Sequence, residues 1–231
     1  VHQRPRLVRT DGELPFGLFR YVVDEERTVL GGATSNAGNL HRWCLRELRL
    51  NARALEKQLF SCRDTAAYDE LVVLPFWVQE RAPTWPEDLR GTVVGLSQTT
   101  TAAEILRAAT TATFYRLRDI LELFETSTGD ALRVIVSGGA ANSSATLRLL
   151  ADCLGRDIEK SAELEASLSG AAIYALERLG AKPARRRRGR FVRHIPALSA
   201  KHQERRTRQV ELEELLSSDL PLARRLFRRA D

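Results

Sequence analysis

The sequence predicts an α/β fold, and three observations carry that prediction. Short β-branched runs bounded by turn residues stand near the front of the chain. Longer segments further on repeat apolar residues near every 3.6 positions. One stretch, 132–155, passes directly from a strand through a glycine turn into a helix.

Taken in order, Arg6-Leu7-Val8 is a candidate short strand, and Asp11-Gly12 and Pro15 mark turns. Leu18 to Val23 and Thr28-Val29-Leu30 read as paired strands across Asp24-Glu25-Glu26-Arg27. A long helix is expected over Leu40 to Phe60, with Leu40, Trp43, Cys44, Leu48, Leu55 and Leu59 near one face. Asp64 to Glu70 reads as a short helix, and Leu71 to Leu74 as a strand stopped by Pro75. The loop from Gln79 to Pro86 carries Glu80 and Arg81, and two readings of that pair stand side by side. They either tie the loop together or meet a ligand. Ala102 to Glu125 is a helix by its spacing of Ile105, Leu106, Ala109, Leu117, Ile120, Leu121 and Phe124, with an N-cap from Thr99-Thr100-Thr101.

In the stretch 132–155, Val134-Ile135-Val136 is too short and too β-branched for a helix, and so reads as a buried strand. Ser137-Gly138-Gly139 turns the chain. Asn142, Ser143 and Ser144 offer caps for a helix bearing Leu147, Leu150, Ala151 and Leu154. Such a turn either simply joins strand to helix or lets the backbone approach a nucleotide at a helix N-terminus. After Gly180 comes a charge run, Arg185 to Arg190, then a helix over Lys201 to Leu216 and a short basic helix over Pro221 to Arg229.

Composition excludes several classes. The 231 residues suffice for a packed core, and the 43% hydrophobic fraction is that of a soluble globular protein. No apolar run reaches membrane-spanning length and no secretory leader is recognisable, so a cytoplasmic protein without membrane contact is expected. Cys44, Cys62 and Cys153 fit no zinc or redox spacing and read as small buried hydrophobes. The four histidines, His2, His41, His194 and His202, are scattered, and no Ser/His/Asp or Cys/His set suggests a nucleophile. Net charge is +6, but 15 of the 36 Lys/Arg and only 6 of the 30 Asp/Glu lie in 182–231. The body, 1–181, holds 21 basic against 24 acidic residues, so the high isoelectric point does not make it a nucleic-acid binder. The basic run is either a solvated loop or a contact for an acidic partner. Only Phe191 accompanies it, which gives stacking on a single strand little support.

The segment 137–155 followed by Glu165-Ala166-Ser167-Leu168-Ser169-Gly170-Ala171-Ala172 resembles the adenosine-binding segment of the FGGY carbohydrate kinases. Gly31-Gly32-Ala33-Thr34-Ser35-Asn36-Ala37-Gly38 is similar to that family's GGA-x-x-N-x-G. Leu74-Pro75-Phe76-Trp77, Glu80-Arg81-Ala82-Pro83 and Gly91 to Leu96 resemble its LPY, GER-x-P and RG-x-x-x-GL run. The ordered combination, over roughly 15–180, is nearest in flavour to gluconokinase and xylulokinase. Ala140 departs from the family's usual third glycine, and Thr111-Ala112 from its Glu-Gly.

The resemblance implies a ribonuclease H-like domain of the actin-like ATPase and sugar-kinase type, a mixed sheet flanked by helices. It makes 1–181 the C-terminal, nucleotide-side domain, with 182–231 a basic linker and terminal helices packing on or beside it. It assigns nucleotide binding to Ser137, Gly138, Gly139, Ala140, Ser143, Glu165 and Gly170, the last two on a turn running from Glu165 to Gly170. It turns Glu80 and Arg81 toward the interdomain cleft. The cofactor is ATP, with Mg²⁺ expected only in the complete kinase. The sugar pocket, the catalytic base and the phosphate hairpins belong to segments not found among these residues, so no catalytic or metal residue is assigned and the chain is expected to be inactive alone. A separate N-terminal kinase half or self-association is the implied partner. A different class stays open, a non-enzymatic binding module acting through the basic tail. Without the family's first strand, the strands around 18–23 and 134–136 are expected to flank a gap that Arg6-Leu7-Val8 or a second polypeptide would fill.

Overall fold

The computed structural model describes residues 14–25, 27–51, 66–86, 88–129, 131–163, 165–181 and 189–218. The candidate strand at Arg6, Cys62 and the terminal basic helix fall outside them. Strand β1 (Phe19–Val22) pairs antiparallel with β2 (Thr28–Gly31), Phe19 opposite Gly31 and Val22 opposite Thr28. Asp24 closes this hairpin by accepting from both the amide and the guanidinium of Arg27.

Helix α1 (Gly38–Glu47) is shorter than the helix expected over 40–60, of which 52–60 lie outside the described residues. Arg49 takes the left-handed conformation at φ 52°. Its amide donates to the Arg46 carbonyl and the Leu50 amide to that of Leu45, the paired bonds that end a helix in a Schellman motif. Leu45 and Leu50 then pack on the same core cluster. Glycine usually fills that position, so the apolar spacing continues through the stop without a sequence signal.

Helix α2 (Ala66–Glu70) leads into β3 (Val72–Leu74), which pairs antiparallel with β4 (Thr92–Val94). Helix α3 (Ala102–Thr128) is fixed at both ends. Thr101 and Glu104 form a reciprocal capping box, and Gly129 closes the far end with φ 70°. Strand β5 (Val134–Val136) is followed by a 3-10 turn (Gly139–Asn142) and helix α4 (Ser144–Leu154). Strand β6 (Ile158–Lys160) returns parallel to β5, with Val134 opposite Ile158. Helix α5 (Ala166–Arg178) follows, then β7 (Arg190–Val192), antiparallel to β6, and helix α6 (Pro196–Ser218).

The sequence reading assigns no strand at β4, β6 or β7. Each is three residues long, too short for an alternating pattern to register, and β7 opens on the last arginine of the charge run. Helix α6 starts five residues before the expected Lys201, at Pro196, where proline suits a first turn.

The core is organised along α3. Its first half buries Leu106, Ala108, Ala109 and Ala112 against Leu40, Cys44, Tyr68 and Val73. Its middle packs Phe114 and Tyr115 on Leu147, Leu150 and Cys153 of α4 and on Ile158. Its last turns set Ile120 and Phe124 against Leu18, Leu30 and Leu132, so the hairpin and the approach to β5 share one helix face. Among the described residues, β1 pairs only with β2, and β5 only with β6. The strands around 18–23 and 134–136 are therefore not joined to each other.

Candidate functional site

Because β5 and β6 are parallel, their carboxyl ends open at the same edge of the sheet. The Ser161 amide extends the pairing with a 2.8 Å bond to the Val136 carbonyl, holding the two following segments side by side. A crevice at the carboxyl ends of parallel strands is where α/β sheets bind ligands.

The first segment is Ser137 to Ser143. Gly138 sits at φ 73°, ψ −156°, a region essentially restricted to glycine. A Cβ on Gly138 or on Gly139 would meet nothing within 4 Å. Ser137, Gly138, Gly139 and Ala140 are all exposed, while Ala141 is buried and anchors the turn. Ser143 caps α4, its hydroxyl accepting from the Thr146 amide at 3.1 Å. The exposed backbone thus leads straight into the N-terminus of α4, where the Ser143 side chain already meets the Thr146 amide. The base of the segment is fixed by Glu125, which takes two bonds from Arg156 and one from the Leu132 amide. These bonds hold the Glu125 carboxyl below the usual carboxylate range.

The second segment corrects one expectation. Residues from Ala166 onward are the opening of α5 and not a turn. Glu165 stands exposed at the N-cap position without a side-chain capping bond, and Gly170 is half-buried inside the helix. Helix α5 buries none of its residues. It is tied to the hairpin through Arg27, which pairs with Glu177 at 2.8 Å and lies over the Tyr174 ring.

Glu80 and Arg81 lie on the Gln79–Pro86 loop, which meets the glycine-bearing segment 31–38, and the structure separates their roles. Glu80 is 1% exposed, and its carboxylate accepts from the amides of Ser35 and Arg81 and from the Asn36 side chain. Asn36 is itself fully buried and bonds both the amide and the carbonyl of Val78. Arg81 is exposed, with its Nε 3.2 Å from the Ser35 hydroxyl. The two upstream motifs are therefore one knot. Asn36 is the residue the sequence reading left without a role. Its role shows only once burial is known, since a buried Asn needs both donor and acceptor partners and finds them at Val78 and Glu80.

Other chemistry is sparse. Cys44 and Cys153 are buried free thiols; desolvation pushes Cys44 up to about 11 and Cys153 further still, so neither is a nucleophile near neutrality. Among the described residues no three His, Cys, Asp or Glu side chains converge to hold a metal ion. No helix among the described residues is long and apolar enough to cross a membrane.

Solved structures place this architecture. Xylulose kinase from Lactobacillus acidophilus superposes with a TM-score of 0.79 at 21% identity, over 91% of this chain and 44% of that one. Gluconate kinase from the same organism gives 0.77 at 21% identity, over 89% and 43%. Glycerol kinase from Plasmodium falciparum, solved with ADP, gives 0.72 at 20% identity, over 85% and 42%. The fold is that of the sugar kinases, of the actin-like ATPase type. In sequence, glycerol kinase of Streptococcus pneumoniae (strain CGSP14) is 33% identical over 148 residues, 64% of this chain and 29% of that protein. The model of the "FGGY family of carbohydrate kinases, C-terminal domain" matches residues 12–177, and the chain belongs to that family. It spans less than half the length of the kinases it matches.

Proposed function

We propose that this chain is the ATP-binding half of a carbohydrate kinase, binding adenine nucleotide between the Ser137–Ser143 segment and the start of α5, and that it does not phosphorylate a sugar by itself. The observation that carries the reading is the pair Gly138 and Gly139. Their open backbone stands at the carboxyl end of a parallel strand and at the mouth of a capped helix. Glu165 and Gly170 contribute the opposite wall. The sugar or sugar acid, of the gluconate or xylulose kind, is bound elsewhere, and Mg²⁺ enters only with the complete kinase. Supporting the lack of turnover, Glu80 is the carboxylate of the loop expected to face the cleft, and three donors already hold it. Phosphoryl transfer depends on an oriented acceptor and on charge neutralisation, and neither is assembled by the residues described here.

Calorimetry tests this directly. ATP and adenosine should bind weakly and with similar affinity, and Gly139→Val should abolish both. ATP binding far tighter than adenosine, in a Mg²⁺-dependent manner, would show that phosphate contacts exist on this chain. Sugar-dependent ATP consumption by the purified protein would overturn the proposed inactivity.

A further inference from the structure

Helix α6 docks through Leu212 and Leu216, which pack on Leu74, Phe76 and Leu89, and through a row of buried polar groups. Its buried side chains His202, Arg205, Gln209 and Glu213 recur every three or four residues and face α2, α3 and the loop after β3. Arg205 pairs with Asp69 and lies 4.4 Å from the Tyr68 ring centroid. Gln209 donates to the Ala112 carbonyl. Glu213 bonds the buried Arg116 at 2.8 Å and also accepts from the Thr84 hydroxyl, which Arg116 contacts at 2.7 Å. Around Arg205 and Gln209 lies a void of about 10 Å³, lined by Tyr68, Thr111 and Tyr115 and large enough for one water.

Of the three ionisable residues in this row, His202 alone docks without an opposite charge. It is 1% exposed, and its Nδ1 lies 2.8 Å from the Tyr115 hydroxyl. The charges acting on it are Arg205 from its own helix and Arg107 and Arg118 from α3, all positive. On α2, Tyr68 and Asp69 are engaged by Arg205. On α4, Asp152 accepts from the Ile195 amide, and Cys153 is a neutral thiol. Asp119 and Glu122 on α3 are held by Arg206. Strand β3 offers only Val72, Val73 and Leu74. A protonated His202 would therefore stand buried in the field of three arginines.

We propose that α6 is an acid-released clasp: it holds α3 and the Thr84 loop while His202 is neutral and lets go when His202 takes a proton. Burial and the three arginines hold the docked imidazole down to about 3, against an ordinary value of 6.5. The sign follows from linkage. The docked state binds the proton less readily than the released state, so docking is complete above 6.5. It weakens about tenfold per pH unit below that and levels off near 3. At pH 4.5 the opening constant of α6 should have risen about 100-fold. Release also removes the Glu213 acceptor from Thr84, three residues beyond Arg81, and so loosens the Gln79–Pro86 loop.

Hydrogen exchange on the full chain, corrected for intrinsic rates, tests the clasp at pH 7 and pH 4.5. The amides of 202–213 should open about 100-fold more at the lower pH while those of α4 do not. His202→Gln keeps a partner for the Tyr115 hydroxyl but cannot titrate there, and should remove the pH dependence even though Asp69, Asp119 and Glu213 remain. Unchanged protection at pH 4.5, equal loss in α4, or the same pH dependence in H202Q would each overturn the proposal. Should H202Q fail to fold, deuteration at the His202 ring carbon in the native chain decides it. A protonation midpoint near 6.5 sinks the clasp, and one near 3 sustains it.

Discussion

Two glycine pairs, Gly31-Gly32 and Gly138-Gly139, lie on the way from a strand to a helix, and they serve opposite ends. In the first, Gly31 and Gly32 make room for protein. A Cβ on Gly31 would land 2.1 Å from the Phe19 ring, and one on Gly32 2.5 Å from Ile120. The loop beyond is closed by the buried Asn36 and Glu80. In the second, 137–143, the glycines leave room that no protein atom fills. A glycine pair in a sequence therefore reports a missing side chain, and only packing shows whether the space belongs to the fold or to a ligand.

The comparison breaks hardest at Glu80. Glu80→Ala removes the acceptor of two half-buried backbone amides and of the buried Asn36 side chain at once. Stranding such donors should cost about 3 kcal/mol, read as a lower urea midpoint with an unchanged slope. A midpoint within experimental error of the parent would mean that the first segment is not held by this knot. Gly32→Val comes next. Ile120, 4% exposed, and Leu18 have little room to retreat, and overpacking there should cost about 2 kcal/mol.

In the second segment the effects on stability shrink. Ser143→Ala deletes the cap of α4 and leaves the Thr146 amide unmet, for a loss of about 1 kcal/mol. Thermal unfolding at fixed pH would register it, and a fully neutral outcome would imply that another group caps the helix.

What the sequence disclosed, and what it did not, follows the same physics. Helix α3 and the 132–155 unit were legible because cap and apolar spacing agree, with Thr101 in one and Ser143 in the other, although α3 runs to Thr128, three residues past the expected Glu125. The end of α1 was not, because Arg49 does a glycine's work. The docked face of α6 was missed for a different reason. Its buried residues are His202, Arg205, Gln209 and Glu213, which a polarity pattern assigns to solvent until Asp69, Tyr115, Arg116 and Thr84 are seen to meet them. Glu80 was weighed between a structural tie and a ligand contact. Choosing required knowing that Asn36, more than forty residues earlier, points at the same carboxylate.

The smallest effect on stability is the most informative. Gly139→Val adds a branched side chain where nothing lies within 4 Å, at a residue that does not need a left-handed backbone. Folding should therefore change by no more than about 0.5 kcal/mol. Gly138 could not serve for this test, since its φ of 73° would add strain to any substitution and confuse the two causes. If the open space is the nucleotide's, the same valine should remove adenosine binding from a chain that unfolds at the parent's urea midpoint. Loss of stability alongside loss of binding would return Gly139 to the class of Gly32, a glycine required by packing. Retained binding in a stable variant would place the nucleotide away from this loop altogether.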